Sequence, residues 1–379
     1  MNNECKRVLH VTEMLQAAGI ESFIMNTYRN IDRNKVQFDF FVTRDEKEFY
    51  DDEIKSLGGR KFVVDIDKNT NVFIRVIKES IELKRVLKRE KYNIVHIHTG
   101  TPLRIFYLIA AKMAKVKTRI YHSHSAEVLG PHEMIGYKKL IFKILKQFFK
   151  FVGTDFFACS NAAAEWIYTS RLISSNNVKI IYNGIDLNKF KFNKDIRDNY
   201  RKKLGIENKF VIGHIGRFEE QKNHKFLIDI FNEVYQSDPS ARLLLIGKGN
   251  LEQEIRNKVL KYGLNDSVIF LGVIDDVNKI MQAMDVFVLP SNYEGLPVVG
   301  VEAQASGLKM ISSDNITEEV AITPNIEFVS LDKSAKEWAE IILDVKENYV
   351  RYNTSKLIQQ SGYDIRSVAN KMERFYLSK

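Results

Sequence analysis

Short apolar, β-branched runs alternate with amphipathic stretches along the whole chain. Runs near residues 6–12, 36–43, 61–65, 93–98, 118–122, 155–159 and 178–182 predict strands in the first half. A second series follows at 210–216, 241–246, 267–271, 285–289 and 308–313. The stretches between them repeat at helical spacing. In 71–90, Phe73, Val76, Leu83 and Leu87 share one face and Lys and Arg the other. In 222–236, Phe226, Leu227, Ile230, Phe231 and Val234 form an apolar stripe, and 251–262 ends at Gly263, a residue suited to the position after a helix. Strands alternating with helices predict parallel α/β sheets. The polar stretch Asn188 to Asn208, with one short helix, reads as a linker. The fold class is therefore α/β, two doubly wound Rossmann-like domains facing a deep cleft. In such folds ligands bind beyond the carboxyl ends of the strands.

Composition narrows the classes. The 379 residues suffice for two domains at about 150 residues each. Hydrophobic residues make up 45% and charged residues 28%, which excludes global disorder, collagen and coiled coil. Cys5 and Cys159 are too few for a disulfide framework and form no Cys-x-x-Cys pattern. The amino terminus lacks the apolar core of a signal peptide, and no apolar run approaches the roughly 20 residues that span a bilayer. A cytoplasmic protein is expected, peripheral at the inner face of the cell membrane if its charge is used there. The net charge is +9. Much of it gathers at 138–152, where Leu140, Ile141, Ile144, Leu145, Phe148 and Phe151 recur at helical spacing with Lys139, Lys143, Lys146 and Lys150 opposite. That pattern suits an anionic membrane surface or a core helix with a solvated lysine face. No helix-turn-helix, zinc finger or stacked-aromatic motif points to nucleic acid.

Three motifs carry chemistry. Ser291-Asn292-Tyr293-Glu294-Gly295-Leu296-Pro297-Val298 follows an apolar strand and opens a helix, with Pro297 in its first turn. The unpaired amides at such a helix start attract anions. Glu294 and Glu302, separated by seven residues, bracket that start and suit sugar hydroxyls. Gly213-His214-Ile215-Gly216-Arg217, with Lys222 five residues on, offers a planar fork and a point charge to a diphosphate. It matches neither the dinucleotide nor the Walker fingerprint. Leu244-Leu245-Ile246-Gly247-Lys248-Gly249 and Phe270-Leu271-Gly272-Val273 end two more strands, where a base or ribose can lie against backbone.

With Asn183-Gly184-Ile185-Asp186, these motifs resemble in order and spacing the retaining glycosyltransferases of family 4, of the GT-B fold and of bacterial polysaccharide biosynthesis. The resemblance implies an acceptor domain of residues 1–187 with a carboxyl-terminal helix at 362–379, and a donor domain of 188–361. It implies that Arg217 and Lys222 hold the donor diphosphate, that Glu294 contacts the donor sugar and Glu302 the ribose, and that Gly295, Leu296, Pro297 and Val298 meet phosphate and sugar. Gly216, Gly247 and Val273 complete the nucleotide side. Ala18-Gly19-Ile20-Glu21 resembles the family's glycine-rich turn, with Ala18 in place of a glycine, which makes Gly19 and Glu21 acceptor-side candidates. Tyr121-His122-Ser123-His124-Ser125 resembles the histidine site beside the donor sugar. His124 is favoured there, with His122 second, and His122 and His98 are acceptor-side candidates.

The expected activity is hexosyl transfer with retention, from a nucleoside-diphosphate sugar, a UDP-sugar first, to a saccharide or lipid-linked acceptor in capsule, exopolysaccharide or lipopolysaccharide assembly. The leaving phosphate takes the acceptor's proton at the front face. No cofactor and no essential metal are implied. A zinc ion among His96, His98, His122 and His124 is the rival reading of that cluster, and no local motif demands it. Asp65-Ile66-Asp67 reads as a solvated strand end. A nucleotide-sugar epimerase or phosphorylase, and a non-catalytic membrane partner of the same fold, are the alternatives.

Overall fold

The computed structural model describes residues 5–16, 19–44, 48–67, 69–125 and 136–379, with the backbone alone at 137 and 138. The chain divides into two compact units, Met1–Gly184 with Gly362–Lys379, and Ile185–Ser361.

The first unit holds seven parallel strands: Lys6–Val11 (β1), Val36–Val42 (β2), Lys61–Val63 (β3), Ile94–Thr99 (β4), Thr118–Ser123 (β5), Asp155–Ala158 (β6) and Val178–Ile180 (β7). Their spatial order is β3-β2-β1-β4-β5-β6-β7, so the order reverses between β1 and β4. Both faces of the sheet are covered, and the central strands are apolar on both sides, as buried parallel strands require. Leu9, Val11, Val95 and Ile97 face one core, and Val8, Ile94 and Ile120 the other. The second core is roofed by the helices Gly19–Asn30 and Ile365–Leu377. Gly184 lets the chain pass close to the second of these, since a Cβ there would stand 2.8 Å from Ile365 Cα.

The second unit repeats the plan with Val211–Ile215 (β8), Arg242–Ile246 (β9), Val268–Gly272 (β10), Val286–Leu289 (β11), Lys309–Ser313 (β12) and Ile326–Val329 (β13). All are parallel, in the order β10-β9-β8-β11-β12-β13. The sequence pattern missed β13, a four-residue strand of Ile-Glu-Phe-Val at the sheet edge, half-buried over most of its length.

Other departures have clear causes. The stretch read as a linker belongs to the second unit, and its expected short helix is Lys194–Leu204. Its Arg197 and Arg201 pair with Asp285, and Asp285 also accepts from the Val211 amide at 2.7 Å. Phe73 is exposed, because only Val76, Leu83 and Leu87 of its expected face reach the core. Residues 138–152 form no single helix. The helix Gly136–Lys146 stops, and a short one resumes at Phe149–Val152. Phe149 is fully buried, while Leu140, Ile144, Phe148 and Phe151 are each at least half exposed. Among the described residues no helix is long and apolar enough to cross a membrane.

Candidate active site

In the second unit, the predicted motifs come together at the carboxyl ends of β8, β9 and β11. The loop after β8 ends in a short turn, Glu220–Lys222, from which Lys222 reaches back. Gly216 makes room for the stem, because a Cβ there would lie 3.0 Å from Lys222 Cγ and Cδ. The Lys222 ammonium pairs with Glu294 Oε1, although the two residues are 72 positions apart. Ser291 Oγ donates to the same oxygen at 3.0 Å, and Gln221 Nε2 donates to Oε2 at 3.2 Å. Gln221 Nε2 also donates to the Tyr293 carbonyl at 3.1 Å, and the Asn292 amide donates to the Gln221 carbonyl at 2.8 Å. The loops after β8 and β11 are thereby tied into one body, with Glu294 held from three sides. Gln221 and Ser291 were not singled out in the sequence. Their signal was adjacency, one beside Lys222 and one three residues before Glu294.

Arg217 is exposed and makes no ion pair among the described residues. Its cation stands available on the same loop as Lys222. The helix Val298–Ala305 begins one residue later than the sequence suggested. Pro297 is its cap and not its first turn, because its ψ of 106° is extended. The first amides of that helix carry no intrahelical acceptor. Gly295, Leu296 and Val298 line this turn and are half-buried. Glu302 lies one turn further, and burial pushes its carboxyl up to about 8.

The glycines after β9 lie against the loop after β8. Gly247 has φ +138°, and a Cβ there would stand 2.1 Å from the Gly216 carbonyl oxygen. At Gly249 the same atom would lie 2.4 Å from the Phe218 carbonyl oxygen. Both glycines admit the neighbouring loop's backbone. Val273, just past β10, is 65% exposed, a large apolar residue left open at the strand ends.

In the first unit, the candidates lie at the ends of β1, β4 and β5. His98 is buried and His122 fully so, while His124, just past β5, is partly buried. His98 Nδ1 and His124 Nε2 share a hydrogen bond at 2.9 Å, and His98 Nε2 shares another with His10 Nδ1 at 2.9 Å. His96 bridges His122 Nδ1, at 3.2 Å, and the Tyr376 hydroxyl, at 2.7 Å. Burial holds all five imidazoles below their ordinary range, His10 and His124 to about 3. His10 and Tyr376 were missed, since neither lies near the others in sequence.

Gly19 opens its helix in open space, where a Cβ would meet nothing within 4 Å, and Ala18 lies outside the described residues. Glu21 is buried and faces inward. It accepts from Thr12 Oγ1 at 3.2 Å, and burial pushes its carboxyl up to about 7. Asp65 and Asp67 line a cavity of about 630 Å³ with Lys78, Glu82 and Arg85, on the outer side of β3.

Known proteins match this arrangement. Residues 17–189 match the family described as Glycosyltransferase Family 4, and residues 196–363 match Glycosyl transferases group 1. EpsF of Bacillus subtilis (strain 168), a protein assigned as a glycosyltransferase, is 35% identical over 374 residues, covering 96% of this chain and 94% of that one. The chain belongs to glycosyltransferase family 4. The family 4 enzyme is also similar to the Escherichia coli UDP-Gal:α-D-GlcNAc-diphosphoundecaprenol α-1,3-galactosyltransferase, 26% identical over 385 residues, 98% of this chain and 96% of the relative. In fold it resembles Anabaena Alr3699/HepE, solved with UDP, with a TM-score of 0.76 at 19% identity over 99% of this chain and 100% of that one. Its two Rossmann-like units are the two domains of the GT-B fold.

Proposed function

We propose that this family 4 glycosyltransferase moves a hexose, with retention, from a UDP-sugar to a saccharide on a lipid-linked acceptor in the assembly of a surface polysaccharide. The observation that carries the reading is the Lys222–Glu294 pair, fixed by Ser291 and Gln221 beside an exposed Arg217 and the opening amides of Val298–Ala305. In this reading Arg217, Lys222 and the backbone amides of Gly295, Leu296 and Val298 stabilise the departing diphosphate, the largest electrostatic contribution. Glu294 accepts from hydroxyls of the donor sugar. Glu302 takes the ribose hydroxyls, and Gly216, Gly247 and Val273 border the nucleotide. The bond between the anomeric carbon and the phosphate oxygen breaks as the acceptor oxygen bonds to that carbon on the same face. The acceptor's proton passes to the leaving phosphate. This chemistry calls for no metal and no cofactor.

On the first unit, His124 is the histidine placed against the donor sugar, supported by its partial exposure where His122 is sealed. Gly19 and His98 border the acceptor side, and Glu21 acts from beneath by fixing Thr12. The UDP complex of the Anabaena structure and the diphosphoundecaprenol in the E. coli relative's name support the donor and acceptor classes.

The exposed apolar row Leu140, Ile144, Phe148 and Phe151, next to Lys139, Lys143 and Lys150, supports docking on the anionic inner face of the membrane. Each lysine near such a surface contributes about 1 kcal/mol. Flotation with anionic and neutral liposomes checks this, with Ile144→Ser/Phe148→Ser beside the wild type. Equal recovery on both lipids would remove the membrane from the reading.

The function is tested by thermal stabilisation with UDP and UDP-sugars, followed by NMR of the product. A ligand at a hundred times its Kd adds about 2.7 kcal/mol. Stabilisation by a UDP-sugar and a product whose anomeric configuration matches the donor's are expected. An inverted linkage would sink retention, and loss of response to every nucleotide would sink the donor assignment.

A further inference from the structure

The five described histidines of the first unit form one block. His10, His96, His98 and His122 stand on the same face of three adjacent strands, since alternate residues of a strand share a face. The register sets His10 beside His96 and His98 beside His122, and His124 follows two residues later. Neighbouring ring centroids are 4.0 to 5.4 Å apart. The walls are aromatic: Phe38 beside His10, Phe157 beside His96 and Phe23 edge-on to His122. Three ring nitrogens in this apolar box have no hydrogen-bond partner among the described residues: His10 Nε2, His122 Nε2 and His124 Nδ1. Native proteins rarely bury unpaired polar atoms without a reason.

Two overlapping triads, His10–His96–His98 and His98–His122–His124, each offer one nitrogen per ring within 4.8 Å of the others. We propose that the triad His98, His122 and His124 binds a divalent cation of the borderline class, Zn²⁺ foremost, with His10 and His96 holding two of the ligating rings from behind.

The hydrogen bonds already have the form that such a site needs. A ligating imidazole anchors its other nitrogen, which fixes its tautomer and orientation. His98 Nε2 is anchored on His10 Nδ1, and the ion replaces the hydrogen bond between His98 Nδ1 and His124 Nε2. His122 Nδ1 is anchored on His96 Nε2, and His96 in turn on the Tyr376 hydroxyl, which leaves His122 Nε2 to offer. His124 is the partly buried member, just past the end of β5. Burial keeps all three rings neutral near neutral pH, so binding releases no net proton and needs only the shift of the His124 hydrogen from Nε2 to Nδ1. A set of three neutral nitrogens excludes Mg²⁺ and Ca²⁺, which take oxygen ligands. Three protein ligands leave a fourth position to water. The rings must adjust, since their nitrogens lie within 4.8 Å of one another. A tetrahedral ion with bonds of about 2.0–2.1 Å holds its ligand nitrogens roughly 3.4 Å apart. His98 Nδ1 and His124 Nε2 stand at 2.9 Å, so His124, the ring just past the end of β5, must swing outward by about half an ångström.

Binding of the ion is independent of the proposed function. Its consequence rests on that reading: an ion on His124 occupies the ring assigned to the donor sugar and inhibits transfer.

The test is titration of the chelator-stripped full chain with Co²⁺, read by visible absorption, and then with Zn²⁺. One equivalent with the intense bands of a tetrahedral ion, displaced by Zn²⁺ and not by Mg²⁺, is expected. His98→Gln and His122→Gln should abolish the bands. His10→Phe, behind the ligands, should weaken binding about 10- to 100-fold. His214→Gln in the second unit should leave it unchanged. Far-UV circular dichroism identifies variants that fail to fold, and His124→Asn, at the partly buried position, then serves as the ligand variant. Absence of tetrahedral bands, or bands that survive in folded His122→Gln, would overturn the site. If Zn²⁺ binds as described and transfer proceeds undiminished, the site stands and the assignment of His124 to the donor sugar falls.

Discussion

The two units solve the same problem, a polar constellation at the ends of parallel strands, with opposite chemistry. The second unit uses charge. Glu294 is half-buried and fully compensated by Lys222, Ser291 and Gln221 before any ligand arrives. The first unit uses neutral rings. Its imidazoles are sealed among Phe23, Phe38 and Phe157, and three of their nitrogens are left without partners among the described residues. A compensated ion pair can be presented near the surface to a charged ligand without reorganising. A block of neutral bases can be buried deeply because no charge needs to be solvated, and it stays receptive to something that brings charge in. The same first unit shows the difference locally, since its buried Arg104 is paired with Glu79, and the Tyr107 hydroxyl donates to the same carboxylate.

That contrast can be broken most sharply inside the first unit. Arg104→Leu strands the Glu79 carboxylate in the core and should destabilise by about 3–5 kcal/mol. His122→Leu leaves only the neutral His96 Nε2 without its partner and should cost about 1–3 kcal/mol. Denaturant unfolding compares them, and equal losses would show that the histidine block carries charge after all.

In the second unit, Lys222→Ala removes the compensating cation and, in the proposed reading, a diphosphate contact. Transfer should fall by about 10²–10³-fold, the usual effect of removing one donor from a site of developing charge. Single-turnover rates with the preferred UDP-sugar measure this. A loss below threefold would mean that Lys222 serves only to hold Glu294.

The pH dependence of local stability should also separate the units. An imidazole whose folded pKa is depressed binds its proton in the unfolded chain first. Its stabilising contribution is present above about 6.5 and is lost as pH falls toward the folded value. That value is about 3 for His10 and His124, and burial holds His96, His98 and His122 well below the ordinary range. The second unit has two such rings, His214 and His224, the latter at about 4. Each ring contributes up to about 1.4 kcal/mol per pH unit. Hydrogen exchange of β4 and β5 amides, corrected for intrinsic rates and run with chelator between pH 7 and 5, should therefore lose protection more steeply than that of β8 and β11. Parallel slopes would mean that the rings of the first unit are hydrated.

The smallest effect is expected at Glu302. With its carboxyl near 8, Glu302 is largely protonated at neutral pH, so Glu302→Gln reproduces its usual state. Nucleotide affinity should change less than about tenfold at pH 7, a difference under about 1.4 kcal/mol. A larger loss would show that the ribose is met by the carboxylate.

Much of this was legible in the chain. Continuous apolar strands are what a sheet covered on both faces demands, and they marked all but β13, where a single glutamate in four residues at the sheet edge blurs the signal. The fragments Gly216-Arg217…Lys222 and Glu294…Glu302 were readable because each lies on one strand-to-helix connection. The glycines at 247 and 249 were found, but the loop that lies against them was not. What approaches them is the carbonyl of a neighbouring loop, and a packing partner from another strand leaves no mark at the glycine itself. The basic stretch 138–152 showed helical periodicity, yet periodicity does not say which apolar residues find a partner. Phe149 did, and Leu140, Ile144, Phe148 and Phe151 remain at the surface.

The sequence by itself determined the alternation of strand and helix, the doubly wound class and the local strand-to-helix loops, because these depend on side chains a few residues apart. Only the tertiary structure decided that Lys222 neutralises Glu294 across 72 residues, and that His10 and Tyr376 join the histidines of β4 and β5. Charge compensation and burial depend on which strands lie side by side. That order, β1 next to β4 and β8 next to β11, is fixed by the packing of whole layers and not by any local run of residues.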